Sequence, residues 1–370
     1  MKKRIAIWMY GGIGTGNFSQ GQPVLEMLIR KLAEEFDLIV YSQSLINTDY
    51  LPDGLRIRFA PAAVKNRNLR WLLLIKYFFA DHFQKKFSLV AAFWGFPGGF
   101  FATLIAKILF LPSVVNLQGG DAAGIRALNY GVMHRPWFKR LALFTYSQAT
   151  VLTALTYFQR DMVIGNGVSR SIQVIPLGVD PTIFKVFPGK TRPGDPHHFI
   201  HVSNYNLIKD PETLLRAFAL ICKTKAASLR IVGGEYDKSN LQQLCENLGI
   251  ARNVDFYGPV QYNKIADQFA WADTILHTSL FEGQGIVITE AAMCGVMIAG
   301  TAVGLISDLG DQRAVVVPVG DFNRLAEKIL NILDNPEAAM EMKKRALIWA
   351  REHDFFWTVN RYKEIFNEIG

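Results

Sequence analysis

The chain has little cysteine: Cys222, Cys245 and Cys294 are the only three in 370 residues, scattered and without paired spacing. That excludes a disulfide framework and a cysteine zinc site, and it is the usage expected in a reducing cytoplasm. An Asp-x-Asp metal pair is also missing. His197, His198 and His201 cluster, but the acidic or further His partners that a metal would need do not stand beside them, so the cluster reads as part of a linker. The opening MKKRIAIWMYGG runs into a glycine-rich turn rather than an apolar region with a small-residue cleavage site, so no secretory leader is expected. The longest uncharged run, Leu89 to Ala106, is broken by Gly95, Pro97, Gly98 and Gly99 and reads as strand, turn and helix, not a membrane span. Low-complexity segments, long-period repeats and nucleic-acid recognition motifs are absent.

What is present suits two domains. Half of the residues are hydrophobic, ample for two cores of about 150–200 residues each. The net charge of +8 is uneven: Met1 to Lys185 holds 21 Lys and Arg against 10 Asp and Glu, and the remainder holds 19 against 22. Much of the positive charge lies among aromatic and apolar residues, in Arg67 to Lys86 and Arg135 to Phe144. Such basic amphipathic helices suit an anionic lipid surface, or equally a sheet-packed layer with solvated lysines.

Strand and helix patterns alternate throughout. Arg4 to Met9 is a short apolar strand that meets Gly11, Gly12, Gly14 and Gly16 before a helix from about Gln22 to Glu35. Strand, glycine loop and helix form a phosphate-cradling arrangement, although GGIGTG is out of register with the dinucleotide fingerprint. Further strands fall at Leu89 to Trp94, Ser113 to Leu117 and Ala149 to Leu155, with Thr156 capping the next helix. This alternation indicates parallel doubly wound sheets. Phe187 to His198, rich in Pro, Gly and charge, is the best linker, and strand–helix alternation resumes after it.

The most informative stretch is Leu276 to Gly295, LHTSLFEGQGIVITEAAMCG. A buried strand ends at His277, two glycines bend the loop Ser279 to Gly285, and Ile286 to Cys294 has helical periodicity with Gly295 as its stop. The turn leaves backbone N–H groups at the positive end of a helix dipole, which suits an anion. Glu282 and Glu290 frame that turn. Carboxylates repel a bare phosphate, so a ligand offering hydroxyls to the acids and phosphate to the amides fits best. A nucleotide-sugar has that mixture; an ordinary βα junction with two solvated acids is the plainer alternative.

FEGQGIVITEAAMCG resembles the Glu-x7-Glu signature of retaining glycosyltransferases of the GT-B fold, family four. The resemblance implies an α/β chain of two Rossmann-like doubly wound domains facing across a cleft. Residues 1–186 would form the acceptor-side domain, with helix 355–370 packing back on it; residues 199–353 would form the donor domain, and 187–198 the linker. Glu282 would then sit beside the donor sugar hydroxyls and Glu290 would hold the ribose, with backbone of Gly285, Ile286 and Val287 at the phosphates. Gln284 replaces a common aromatic and could alter sugar choice. Gly12 and Gly14 would approach the diphosphate. Gln118-Gly119-Gly120-Asp121 stands where the family has His-Gly-x-Asp; Gln118 can hydrogen-bond but cannot titrate, and Asp121 would lie near acceptor or donor hydroxyls. Lys209 matches the diphosphate-clasping Lys, whereas Asn204 takes the place of an Arg. Val260 would meet the base, and Thr301 the same cleft.

The implied activity is metal-independent transfer of a hexose or related sugar with retention, from a UDP-, GDP- or ADP-linked donor to a glycan or lipid-linked acceptor. Cell-surface polysaccharide or lipopolysaccharide assembly would be the setting. No cofactor, metal or nucleic acid is implied. The expected location is cytoplasmic, peripheral on the inner membrane face. A hexosamine epimerase of the same fold and a non-catalytic membrane- or partner-binding protein are the competing readings.

Overall fold

The computed structural model describes residues 2–14, 21–44, 51–187, 196–204, 206–234 and 238–370. Gly16 and residues 188–195, most of the expected linker, lie outside the described residues. Contacts divide the chain into two units, Met1–Leu177 with Phe356–Gly370, and Gly178–Phe355.

The first unit runs β1 (Arg4–Met9), α1 (Pro23–Ala33), β2 (Asp37–Ser42), β3 (Ile57–Phe59), α2 (Arg67–Gln84), β4 (Leu89–Phe93), α3 (Gly98–Ile108) and β5 (Ser113–Asn116). It continues through α4 (Pro136–Gln148), β6 (Val151–Ala154), α5 (Tyr157–Gly165) and β7 (Gln173–Val174). All strands are parallel, in the order β3-β2-β1-β4-β5-β6-β7. Every residue of β1 is buried because the strand lies between β2 and β4 with helices on both faces. Right-handed crossovers moving in opposite directions from β1 put α1 on one face and α2, α3 and α4 on the other. On the second face Trp71 of α2 meets Trp8 of β1 at 6.1 Å and Phe101 of α3 at 5.0 Å, and Phe100 of α3 meets Phe144 of α4 at 6.2 Å. The run Leu89–Ala106 is thus β4, a turn and α3, and no helix among the described residues is long and apolar enough to cross a membrane.

The second unit runs β8 (His197–Val202), α6 (Pro211–Cys222), β9 (Ala227–Val232), α7 (Lys238–Asn247), β10 (Val254–Gly258), α8 (Ile265–Trp271) and β11 (Thr274–His277). Then follow α9 (Ile286–Met293), β12 (Met297–Thr301), α10 (Gly304–Leu309), β13 (Val315–Val317), α11 (Phe322–Leu333) and α12 (Pro336–Glu352). Its parallel order is β10-β9-β8-β11-β12-β13. Helix starts follow local chemistry: Asp210, Asp321 and Asn335 each accept an N–H from the first turn of the helix they precede, at 3.0–3.2 Å. The last helix, α13 (Phe355–Ile369), returns to the first unit, where Phe366 meets Phe36 and Tyr362 meets Phe93.

One boundary differs from expectation. His197 and His198, assigned to the linker by composition, already pair in β8 with Ala227 and Ser228. Their rings find partners: His197 Nε2 lies 2.8 Å from Thr274 Oγ1, and His198 stacks on Trp271 at 4.4 Å. Pairing and stacking offset the low strand preference of the histidines.

In both sheets the strand order reverses beside the first strand, at β1/β4 and at β8/β11. The carboxyl ends of such strands form the crevice where open α/β sheets take ligands.

Candidate functional site

The crevice of the second unit is built from the loops after β8 and β11. After β8, a short 3₁₀ turn, Leu207–Lys209, is capped by Asn206, whose side chain accepts from Ile208 N at 3.1 Å. Asp210 follows at φ 46, with Pro211 in the first helical turn, so Lys209 projects from a sharp corner. The two loops are tied together. Thr278 Oγ1 donates to the carbonyls of Lys209 at 3.1 Å and Asp210 at 2.9 Å, and Leu280 N donates to Ile208 O at 2.7 Å. On the other side Thr301 Oγ1 donates to Ser279 O at 2.6 Å and Leu305 N to Gln284 O at 2.8 Å. Gly304 permits this approach: at φ 52 an added Cβ would stand 2.6 Å from Gln284 O and 2.7 Å from Glu282 Cβ.

These ties bring three donors to one oxygen. Lys209 Nζ at 2.5 Å, Ser279 Oγ at 2.7 Å and His277 Nε2 at 3.0 Å all meet Oε1 of Glu282. Burial opposes ionisation of Glu282, but the Lys209 charge and the His277 hydrogen bond outweigh it and hold the carboxyl well below the usual carboxylate range. Behind the cluster lies His201, stacked on His277 at 6.0 Å between ring centres. Leu276 O lies 2.9 Å from Nδ1 of His201 and can only accept, so Nδ1 carries the proton and Nε2 accepts from Ser203 Oγ at 2.8 Å. Burial, then the neighbouring His277, brings His201 down to about 3, so this ring is neutral. Nδ1 of His277 is buried without a hydrogen-bond partner among the described residues.

Gly285, at φ 77, precedes α9 and supplies no side-chain cap. The first-turn amides of Ile286 and Val287 therefore lack an intrahelical acceptor. One turn further Glu290 is only 5% exposed, and burial pushes it up to about 8. A carboxyl held protonated in the fold beyond its ordinary 4.5 stabilises fully below that value. The contribution is lost as pH rises toward 8, on the order of a few kcal/mol. Glu290→Gln is expected to melt at a similar temperature at acid pH and increasingly above wild type as pH rises through this window. Parallel melting curves of the two proteins across pH would contradict the assignment.

The remaining expected site residues are placed as follows. Asn204 is exposed on the loop after β8, and Val260 is half-buried just after β10. Gln284, expected to influence sugar choice, is 4% exposed and turns inward, its Nε2 donating to Thr289 Oγ1 at 2.9 Å. Thr301 likewise has its hydroxyl on Ser279 O, where it holds the Glu282 loop rather than facing the crevice.

In the first unit, Gly12 O accepts from Gln22 N at 2.7 Å and Gly14 packs against Gly21. Trp94, strained at φ 79, lays its ring against Gly12. Gln118 and Asp121, expected at substrate hydroxyls, are 3% and 2% exposed and organise their own turn instead. Asp121 accepts from the amides of Gly95 at 2.7 Å, Gln118 at 2.8 Å and Phe96 at 3.3 Å, and the Gln118 side chain donates to Asn116. The physical reason is that buried turn amides need acceptors; burial pushes Asp121 up to about 7 against the pull of those three bonds. His277 and Ser279 were not anticipated. Their signal is three consecutive polar residues, His277-Thr278-Ser279, at the end of a buried strand and just beyond it.

Two Rossmann-like parallel-sheet domains, the second with an acid pair around a glycine-started helix, define a GT-B protein. The family model described as glycosyl transferases group 1 matches residues 183–349. N-acetyl-alpha-D-glucosaminyl L-malate synthase of Bacillus anthracis is 33% identical over 150 residues, which covers 40% of this chain and 39% of the synthase. Sucrose-phosphate synthase from Thermosynechococcus elongatus superposes with a TM-score of 0.81 at 17% identity, covering 99% of each chain. HepE of Anabaena, solved with UDP and glucose, superposes at 0.74 and 18% identity over 98% of this chain and 99% of its own. The likeness in sequence to the group 1 glycosyl transferases thus lies in residues 183–349.

Proposed function

We propose that this chain transfers a hexose or related sugar, with retention and without a metal, from a nucleotide-sugar to a glycan or lipid-linked acceptor. The setting proposed is cell-surface polysaccharide or lipopolysaccharide assembly on the cytoplasmic side, and the class is family four of the GT-B enzymes. The observation that carries the reading is the meeting of Lys209, His277 and Ser279 on one oxygen of Glu282, beside the open amides of Ile286 and Val287.

Breaking a glycosyl–phosphate bond leaves a diphosphate anion and a cationic sugar carbon. Lys209 and the first-turn amides of α9 stabilise the first, as preorganised donors do wherever charge develops. Glu282, kept ionised, accepts from sugar hydroxyls through the oxygen that Lys209, His277 and Ser279 do not share. Glu290 accepts from the ribose, and Val260 lies along the base. Asn204 brings no charge, so the anion relies on Lys209 and backbone. The leaving phosphate takes the acceptor's proton on the face it departs from.

The experiment is a panel of UDP-, GDP- and ADP-linked sugars screened by thermal shift, followed by turnover of the labelled hit. A specific donor at a hundred times its Kd should add about 2.7 kcal/mol of stability, and turnover should release nucleoside diphosphate. Sugar interconversion without diphosphate release would establish an epimerase. Binding without either reaction would establish a binding module.

A further inference from the structure

We infer that the outer face of the α2–α3–α4 layer of the first unit is a docking plate for an anionic lipid bilayer. Each helix buries one stripe against the sheet and turns the opposite stripe outward. On α2 the buried stripe includes Trp71, Leu74 and Phe78, and the outward one carries Leu69, Leu72, Lys76 and Phe83. On α3 the outward positions are Leu104, Lys107 and Ile108, with Phe110 just beyond the helix at 95% exposure. On α4 they are Trp137, Arg140 and Phe144, the Arg140 guanidinium lying 5.4 Å from the Trp137 ring. The ring contacts that link α2 to α3 and α3 to α4 place the three stripes side by side.

Two features together select the occupant. From Gly54 to Arg160 the chain has fourteen Lys and Arg against two acids, Asp81 and Asp121. Both acids are buried, and Asp81 is already paired with Arg58, so this stretch presents cations and no exposed carboxylate. Eight of the seventeen exposed large apolar side chains among the described residues lie on the three outward stripes and Phe110. Cations alone would suit nucleic acid, but an apolar layer among them gains nothing against a phosphate backbone. A second copy would bring like charges face to face. A bilayer satisfies both features: aromatic and aliphatic groups enter the headgroup boundary, while lysine and arginine reach lipid phosphates on flexible stems.

Flotation of the full chain with vesicles tests this. It should bind vesicles containing roughly one third phosphatidylglycerol, bind phosphatidylcholine vesicles weakly, and be released at about 0.5 M salt. Replacing Lys76, Lys107 and Arg140 together by Glu should weaken binding by about a hundredfold or more, and Phe110→Ser with Trp137→Ser by about tenfold or more. Lys31→Glu, on α1 across the sheet, should change little. Melting curves and the donor thermal shift of each variant report intact folding and the sugar site separately from lipid. Equal binding to both vesicle types, or charge reversal without effect in a folded protein, would overturn the inference. So would self-association in lipid-free buffer that the same variants abolish.

Discussion

Glu282→Gln is expected to lower sugar transfer by about a hundred- to a thousandfold. The amide keeps the shape of the side chain but removes the charge on which Lys209, His277 and Ser279 converge. It can also turn its NH₂ toward Lys209, which replaces attraction by repulsion. The fold should tolerate the change, because the loop is held independently through Thr278, Thr301 and the Leu280 and Leu305 amides. A lost charge-assisted bond costs about 1.5–3 kcal/mol, a modest fall in melting temperature. Turnover within a few-fold of wild type in a folded protein would remove Glu282 from the mechanism.

Lys209→Met is expected to be as severe for transfer, and to have a second signature. If Lys209 holds the diphosphate as proposed, its loss removes that charge from the crevice, Asn204 being neutral, so affinity for nucleoside diphosphate should fall together with turnover. The ion pair is largely enclosed, with side chains 18% and 14% exposed, and an unpaired buried carboxylate destabilises by several kcal/mol. The pH dependence follows from the depressed Glu282 value. In wild type, Glu282 contributes stability above its ordinary 4.5, and the contribution is lost only as pH falls through the lower folded value. Without Lys209 that depression relaxes. The variant should therefore lose its deficit relative to wild type in acid and show it fully at neutral pH. Thermal melts of both proteins between acid and neutral pH check the sign, and an equal deficit at every pH would count against the pairing.

Most of the architecture was readable because hydrophobic periodicity and glycine punctuation agree along this chain. The all-buried strand RIAIWM, the Thr156 cap and the turn between β11 and α9 all have local causes, and the structure places them where local rules do. What was not readable depends on partners distant in sequence. His197 and His198 are strand residues because Thr274 and Trp271 lie beside them. Asp121 and Gln118 occupy a motif position, yet Asp121 is turned by the amides of Gly95 and Phe96 on another loop, and Gln118 by the Asn116 side chain. Gln284 and Thr301 turn inward for the same reason: a buried hydroxyl or carbonyl needed them. The acid pair was visible as Glu-x7-Glu spacing, but that one acid is held ionised and the other protonated arises from unequal company. Glu282 has Lys209 beside it, whereas burial alone acts on Glu290.

The central claim is that Glu282 recognises the sugar while Lys209 and the α9 amides recognise the diphosphate. Calorimetric titration of wild type and Glu282→Gln, each with the nucleoside diphosphate alone and with the intact nucleotide-sugar, separates the two. The account predicts diphosphate affinity within a few-fold between the proteins, with the extra affinity conferred by the sugar lost in the variant. Equal loss for both ligands, or sugar-dependent affinity that survives the substitution, would contradict it.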